Sequence, residues 1–447
     1  MAKPSEQQEV QLWQTVQPIE FSVIIGTRDQ QQGLEILARQ APGYCVAAGQ
    51  VSHALASRAS HILMDFTQQF VAMRYQIDGN WEQLPNLPRD AGDAMLYTLK
   101  QVSGLNPADR RSAQQGKCAT KVKKTKHFIT VQSQGTQTGE RVLVRIEPEK
   151  PPFASLSDLG MRDRMKEAVK QGLDVSGGLV LISAPQGGGL TTTWQVSLEA
   201  ADRLMRDFQA IEHDERKEPE TINISSNYYG GTSGKTAAEL VRSMILKEPD
   251  VFVLPEIPDG ETLKTILNQV TNNDKHIYTR LVASDAVEAA AMLVGRYRGS
   301  AKEIAQSLTI VLNQRLARRL CENCRQPFEP SPQLLQQLGI PQGRVGVLYQ
   351  PYVPPPIEQQ VDEKGNPAPI PPCPVCGGRS FLGRVGIFEL LRPGPKFRAA
   401  LLKTQDVNKL REVARSEGHR GLQSEAILTV ARGLTSLDEL KRVFSAK

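Results

Sequence analysis

The sequence lacks the features that would place a chain within a membrane or mark it for export. No run in its 447 residues approaches 18 uninterrupted apolar residues, so we expect no transmembrane helix. The first eight residues hold no apolar core, which argues against a secretory signal. Cysteine is also scarce, and four of the six cysteines form two C-x-x-C pairs. In a chain without an export signal this pairing favours metal over disulfides and predicts a cytoplasmic protein.

Aromatic residues and excess charge are limited as well. Aromatics make up 5% of the chain and the formal net charge is only +6, values that suit a soluble globular protein of two to four domains. Five lysines between Lys117 and Lys126 supply much of the excess and lie on an expected strand or hairpin. The first interpretation is a solvated edge that discourages sheet pairing, and the second is a patch for anionic lipid or nucleic acid. Because no aromatic residues alternate with the lysines, we expect no nucleic-acid partner.

The order of the expected elements indicates where the domains lie. Residues 90–102 have helical spacing, and Asp90 is a plausible N-cap. Strands are expected at 62–66, 70–77, 128–131 and 141–146. Together these elements predict a small α+β domain. A proline-containing linker follows, and then strands alternate with helices, which predicts a parallel sheet covered on both faces.

Three stretches complete this pattern. Residues 301–318 predict one long helix with basic residues near its end. A proline-rich stretch over 349–372 predicts an extended loop, and residues 396–447 predict a compact helical tail broken at Gly418 and Gly433.

A glycine loop lies between an apolar run and a helical segment. Leu179–Ile182 predicts a buried strand, Gly187, Gly188 and Gly189 follow, and a helix is expected from Thr191. This order is typical of a phosphate-binding loop, whose backbone N–H groups and helix N-terminus attract a polyphosphate. The pattern G-x-x-x-x-G-K-[ST] is broken twice, because Ala184 replaces the first glycine and Leu190 replaces the lysine.

Two carboxylates at strand ends complete a candidate nucleotide site. Glu256 ends one expected strand and Glu212 ends another. In nucleotide hydrolases a carboxylate in this position polarises the attacking water or supports Mg²⁺. An acidic residue at a strand end is by itself more often a turn or cap residue, but the glycine loop upstream favours the catalytic interpretation.

The two cysteine pairs are the strongest metal signal. Four thiolates on two tight turns suit tetrahedral zinc, with no open position for catalysis. The pairs are separated by 48 residues, and lengthening a loop to that size from roughly 17 residues costs only about 0.9 kcal/mol. Structural zinc contributes on the order of 10 kcal/mol. We therefore predict a zinc site formed by Cys321, Cys324, Cys373 and Cys376.

Several specific motifs accompany the four cysteines. They are Met73-Arg-Tyr-Gln-Ile-Asp-Gly79, Ser103-Gly-Leu-Asn-Pro-Ala-Asp-Arg-Arg111, Glu248-Pro-Asp-Val251, Asn313-Gln-Arg-Leu-Ala-Arg-Arg-Leu-Cys321 and Gly383-Arg-Val-Gly-Ile-Phe-Glu389. By these motifs the chain, from about Val51 onward, resembles the secretion ATPase family of type II secretion and type IV pilus assembly. The resemblance extends over close to 400 residues.

The resemblance implies an α/β protein with a RecA-like P-loop core, a PAS-like α+β domain, a tetracysteine zinc module and a helical C-terminal domain. It also implies Mg²⁺ and ATP as ligands and a hexameric ring at the inner membrane, beside membrane-embedded platform proteins. The expected divisions are 1–50 (unclear role), 51–148 (PAS-like), 149–156 (linker), 157–320 (core), 321–390 (zinc module with its proline-rich insertion) and 391–447 (helical domain).

The chain departs from the family where the family carries out its chemistry. Leu190 replaces the loop lysine, and Val282 replaces the histidine of a conserved box. Pro255 precedes the strand glutamate in place of glycine, and Ile257 follows it in place of arginine. Two arginine positions of the N-terminal domain are Gln76 and Thr130, whereas Arg74, Arg110 and Arg111 remain.

We consider one main hypothesis, which follows from these losses, and two alternatives. The main hypothesis is a cytoplasmic, membrane-peripheral ring subunit with weak or absent ATP hydrolysis, in a homo-hexamer or beside an active paralogue. The nucleotide-site residues that remain are Gly187, Gly188, Gly189, Thr191, Thr192, Arg242, Glu212 and Glu256. The first alternative is a working motor that uses Arg242 or a neighbouring subunit's Arg110. The second, a nucleic-acid-binding protein, depends only on the lysine run.

Overall fold

The computed structural model describes residues 11–150, 152–173, 175, 177–356, 359–360, 368 and 370–445. The chain forms two compact units, Met1–Pro152 and Phe153–Lys447, and their boundary lies inside the expected linker. The first eight residues, where we expect no secretory signal, lie outside these ranges. Part of the proline-rich stretch, where we expect an extended loop, lies outside them as well. Within them, no helix combines the length and apolar character needed to cross a bilayer.

The first unit is an antiparallel sheet with helices packed on its buried face. The strands follow the spatial order β1-β6-β7-β8-β2-β3-β4, and β5 pairs with β3. They are β1 (Phe21–Val23), β2 (Ala59–Phe66), β3 (Phe70–Ile77), β4 (Asn80–Gln83), β5 (Leu87–Pro88), β6 (Gln114–Val122), β7 (Thr125–Gly135) and β8 (Glu140–Pro148). The helices are α1 (Arg28–Gln40), α2 (Tyr44–Ala56) and α3 (Arg89–Val102), and a 3₁₀ turn covers Leu12–Gln14.

The strands and helix expected in this unit are confirmed, with two differences. Asp90 lies in the first turn of α3, and Pro88 occupies the N-cap. Described residues between 11 and 50 belong to the same packed unit, because Phe21 and Val23 on β1 join its hydrophobic core and β1 pairs with β6. The lysine run lies on the β6–β7 hairpin, as expected.

A buried ion pair lies inside this unit. The side chains of Lys100 and Glu140 are 1% and 3% exposed and contact each other directly. Lys100 Nζ also donates to the carbonyl of Asp109 at 2.7 Å, and Ser133 Oγ donates to Glu140 Oε1 at 2.8 Å. A buried pair repays its desolvation only when such extra hydrogen bonds are present. The pair therefore fixes the Asp109 segment to the sheet.

The second unit contains a seven-stranded sheet in the order β11-β10-β12-β13-β9-β14-β17. All neighbours pair in parallel except β14 and β17, which pair antiparallel. These strands are β9 (Gly178–Ala184), β10 (Phe208–His213), β11 (Ile224–Tyr229), β12 (Val251–Leu254), β13 (His276–Val282), β14 (Leu308–Leu320) and β17 (Phe381–Leu391). Two hydrophobic clusters share the strand β9: Leu179 and Leu181 join one, and Val180 and Ile182 join the other. Both faces of the sheet are thus covered, as predicted.

Six helices precede or connect the strands from β9 to β14. They are α4 (Asp163–Leu173), α5 (Leu190–Ala200), α6 (Ala237–Ile245), α7 (Gly260–Asn273), α8 (Ala286–Arg296) and α9 (Ala301–Ser307). The prediction of one helix over 301–318 is wrong, since α9 ends at Ser307 and β14 continues from Leu308. The β-branched run Thr309-Ile-Val311 and its pairing with β9 and β17 favour the strand.

The remaining elements follow β14 in the chain. They are β15 (Gln326–Phe328), α10 (Pro332–Gln337), β16 (Leu348–Gln350), α11 (Pro395–Lys403), α12 (Val407–Ser416), α13 (Leu422–Ala431) and α14 (Leu437–Ser445). The helical tail is confirmed. Gly418 and Gly433 have φ values of +87° and +68°, a conformation that ends helices and favours glycine.

Candidate nucleotide site and metal centre

The glycine loop connects β9 to α5 in a conformation that requires glycine. Gly187 and Gly189 have φ values of +73° and +85°, and Gly188 N donates to the carbonyl of Pro185 at 2.8 Å. A Cβ atom on Gly189 would lie 2.7 Å from Gln314 Nε2, too close for ordinary contact. Strand, loop and helix therefore follow one another as the sequence predicts.

Gln314 on β14 fixes this loop from the neighbouring strand. Its buried side chain donates from Nε2 to the carbonyl of Gly188 at 2.7 Å and accepts a hydrogen bond from the Thr193 hydroxyl. Sequence reasoning missed this contact, because Gln314 is more than a hundred residues from the loop. These two hydrogen bonds stabilise the conformation of the glycine loop.

The residues at the start of α5 are polar except at the position of the missing lysine. Thr191 is exposed and Thr192 is half-buried, and neither side chain makes a hydrogen bond within the described part of the chain. Leu190 is half-buried and packs against the hydrophobic cluster that contains Trp194. The start of α5 thus offers hydroxyl and N–H groups to a ligand, with an apolar side chain where a cation is expected.

Glu212 lies at the end of β10 and is 4% exposed. Its Oε1 accepts from Ser226 Oγ at 3.0 Å, and its Oε2 accepts from the backbone N–H of Glu218 at 2.9 Å. Burial raises the pKa of this carboxyl, although the two hydrogen bonds act in the opposite direction. Thr191, Trp194, Glu212 and Glu218 line one small pocket, so the structure brings Glu212 close to the start of α5.

Glu256 follows β12 and is partly exposed. Arg216 Nη1 donates to its Oε2 at 2.7 Å, and the Tyr229 hydroxyl donates to its Oε1 at 3.3 Å. Burial and the nearby Glu256 charge raise the pKa of Tyr229 to about 12, so the phenol remains a donor at neutral pH. The carboxylate of Glu256 is thus neutralised by an arginine that the sequence did not single out.

A second unforeseen ion pair lies on the same loop. Arg280 on β13 binds both oxygens of Glu218, at 3.0 and 2.6 Å, and its guanidinium lies 5.3 Å from the centre of the Trp194 ring. The loop from Asp214 to Pro219 therefore forms two ion pairs, Arg216 with Glu256 and Glu218 with Arg280. No sequence pattern signals these contacts, because each joins residues that are 40 or more positions apart.

Two other expected features lie away from this pocket. Arg242 on α6 pairs with Glu261 on α7 at 2.9 Å, and both side chains are mostly exposed. In the box that lacks its histidine, Val282 is 55% exposed. Asp285 accepts from the N–H of Glu288 at 2.8 Å and caps α8. A nucleotide-binding role for Arg242 stays a prediction.

The four cysteines form one cluster, as predicted. Their sulfur atoms all lie within 4.8 Å of one another, and the pairs Cys321–Cys373 and Cys324–Cys376 are 4.0 and 3.7 Å apart. Four sulfurs around zinc, each at about 2.3 Å, would lie about 3.8 Å apart in a tetrahedron. The observed spacing fits that geometry.

Hydrogen bonds already favour thiolate at one corner of the cluster. The backbone N–H of Cys376 and the Asn323 side chain lower the pKa of Cys373 to about 6. Burial raises the pKa of Cys321 and Cys324. A bound dication would reverse that penalty, because its charge favours coordinated thiolate. The donor set therefore suits a soft divalent metal such as zinc.

Comparison with known proteins places these features in context. The profile of the family described as "Type II/IV secretion system protein" matches residues 39–442. The chain is 27% identical over 392 residues to the type IV pilus assembly ATPase PilB of Thermus thermophilus, covering 87% of this chain and 42% of that protein. It is 26% identical over 404 residues to a putative type II secretion system protein E of Escherichia coli, covering 89% and 76%. The chain thus spans less than half of the Thermus protein.

A solved structure also has a similar fold. The ATPase DotB of Legionella pneumophila superposes with a TM-score of 0.53 at 15% identity, covering 89% of this chain and 94% of that one. At this identity the likeness concerns the fold alone.

Proposed function

Because the chain belongs to the type II/IV secretion system protein family, we propose that it is a type II secretion or type IV pilus assembly subunit with a degenerate nucleotide site. The observation that carries the proposal is the combination of a loop that keeps three glycines, Gly187, Gly188 and Gly189, with apolar residues at the cation positions. Leu190 replaces the loop lysine and Val282 replaces the box histidine. The subunit binds Mg·ATP weakly and hydrolyses it little or not at all.

Weak binding follows from what the loop keeps and loses. Gly187 and Gly189 offer backbone N–H groups, and Thr191 offers an exposed hydroxyl for Mg²⁺. Loss of one charge-assisted contact to phosphate costs roughly 1.5–3 kcal/mol, or about tenfold to a hundredfold in affinity.

Hydrolysis suffers more than binding. The transferred phosphoryl group develops charge that fixed cations must stabilise, and one arginine is worth about 10³-fold or more. Two arginines near the pocket are already neutralised, Arg216 by Glu256 and Arg280 by Glu218. Glu212 accepts hydrogen bonds at both of its oxygens. Little free charge remains for catalysis.

The wider architecture is part of the same proposal. The first unit is the PAS-like domain, and the sheet of the second unit is the RecA-like core. The subunit forms a ring, as a homo-hexamer or together with a paralogue, at the cytoplasmic face of the inner membrane beside platform proteins. Zinc bound by Cys321, Cys324, Cys373 and Cys376 has a structural role, since four thiolates leave no open position.

One observation favours the alternative, an active ATPase motor. Arg216 lies 2.7 Å from Glu256 and is largely exposed. If a bound nucleotide draws Arg216 away, Glu256 is released to act as a base and the arginine supplies the missing cation. In that case Arg216, rather than Arg242, is the replacement residue.

Steady-state phosphate release with Mg·ATP distinguishes the two functions. We expect wild type and Glu256→Gln to release phosphate at the same background rate. Arg216→Gln serves as the matched variant, because it changes the cation and leaves Glu256 intact. Turnover by wild type that both variants lose would establish the motor and refute the degenerate site.

A further inference from the structure

A cavity of about 540 Å³ lies in the second unit, apart from the glycine loop. The start of α8, strands β14 and β17, and helices α12, α13 and α14 all contribute to its lining, and no residue of the loop does. Its charged and titratable lining residues are Asp285, Arg315, Glu389, Arg411, Arg415 and His419. Ligand pockets have volumes of roughly 300–1,000 Å³, so the cavity has the size of a small-molecule site.

Positive charge exceeds negative charge in this lining. Arg411 Nε donates to Asp285 Oδ2 at 3.0 Å, which pairs one arginine with one carboxylate. Arg315 instead donates to two backbone carbonyls, Val443 at 2.9 Å and Ser284 at 3.4 Å. Neither carbonyl neutralises the charge of Arg315.

Arg415 is the second arginine of the lining that stands apart from the carboxylates. Its side chain is exposed and makes no ion pair or hydrogen bond within the described ranges. Asn408, Arg411 and Arg415 are spaced so that they share one face of α12, which is the face that lines the cavity. Among the residues that the structure describes, the guanidinium groups of Arg315 and Arg415 thus have no carboxylate partner.

A buried histidine adds an unsatisfied polar atom. The His419 side chain is 6% exposed, and its Nε2 lies 2.8 Å from Glu389 Oε1. Its Nδ1 is buried without a hydrogen-bond partner among the residues described. Buried polar atoms in proteins are nearly always paired, so this nitrogen indicates a missing partner.

The start of α13 completes the lining. Gly421 is its N-cap and supplies no side-chain acceptor, and Gly421 to Ser424 line the cavity. The first N–H groups of a helix attract anions through hydrogen bonding and through the helix dipole. This positive end adds to the charge of the arginines.

We propose that this cavity binds a small ligand that carries a phosphate or diphosphate group. Guanidinium groups bind such oxygens with two parallel hydrogen bonds, which is why arginine is common in phosphate sites. Arg415 and Arg315 contact the anionic group, and the rest of the cavity has room for an organic part. Because none of these residues belongs to the glycine loop, the site is separate from the proposed nucleotide site.

The test is titration calorimetry of the full chain with inorganic pyrophosphate at low salt. Arg415→Gln removes the unpaired cation from an exposed position and should weaken binding about tenfold or more. Ser424→Glu places a negative charge in the lining at a helix position that accepts glutamate, and should weaken binding further. Arg420→Gln is the matched control, because Arg420 is exposed on the same segment and does not line the cavity.

Gly189→Ala identifies which site the probe occupies, since its added Cβ would meet Gln314 and Leu316 beside the glycine loop and no residue that lines the cavity. Equal affinity in Arg415→Gln and Arg420→Gln overturns the proposal, and so does the absence of saturable binding by wild type. Binding that Gly189→Ala abolishes and Arg415→Gln keeps also overturns it, because the probe then occupies the loop.

Discussion

Replacing Leu190 by lysine should tighten Mg·ATP binding by about tenfold to a hundredfold. The substitution returns a cation to the first position of α5, directly after the glycine loop. The loop needs no rearrangement, because Gln314 already holds Gly188 and Thr193. The expected gain is the roughly 1.5–3 kcal/mol of one charge-assisted hydrogen bond.

The structure also indicates how this substitution affects the stability of the folded protein. Leu190 is half-buried against the cluster of Trp194, and a lysine stem can keep part of that apolar contact while its ammonium reaches the loop. Leu190→Met is the matched control, because it conserves volume without adding charge. Unfolding followed by fluorescence should show similar stability for the two variants.

The assay is equilibrium titration with a fluorescent ATP analogue in the presence of Mg²⁺. Equal dissociation constants for Leu190→Lys and Leu190→Met would refute the view that the missing cation limits binding. Phosphate release should remain near background in Leu190→Lys, since Val282 still replaces the histidine. Robust turnover would instead show that the lysine alone was the missing component.

Two further predictions concern stability. Purified protein should hold one zinc per chain by elemental analysis, and Cys373→Ser should lose the metal and lower the unfolding midpoint. A metal-free wild type of equal stability would argue against a structural zinc site. Lys100→Met should cost about 3–5 kcal/mol in urea unfolding, because it leaves Glu140 buried without a cation. Adding Glu140→Gln should recover much of that loss, and an unchanged double variant would contradict the argument.

Local patterns explain what could be predicted from the sequence. The strand expected before Glu256 is present as β12, although it ends at Leu254, and β9, the glycine loop and α5 follow the expected order. The cysteine cluster was predictable too, because C-x-x-C pairs carry their geometry in a few adjacent residues. Each of these features depends on neighbours in the chain.

The features that could not be predicted depend on tertiary contacts. A strand buried on both faces has no alternation, so the run from Leu308 could not be told from a continuation of α9 by periodicity. Arg216, Arg280 and Gln314 reach the site from distant positions. No spacing rule links an arginine to a glutamate 40 residues away, and only the fold brings them together.

The strand β14 connects the glycine loop to the cysteine cluster. Gln314 on this strand donates a hydrogen bond to the carbonyl of Gly188 in the loop. Cys321 lies seven residues after Gln314, directly after the last residue of the strand. At about 3.3 Å per residue the two points are about 23 Å apart along a hydrogen-bonded backbone that stretches very little. A displacement at the glycine loop therefore has a direct covalent path of seven residues to the cysteine cluster, with one irregularity in the pairing between Arg318 and Leu320. One strand thus links the two proposed ligand sites, although they lie far apart.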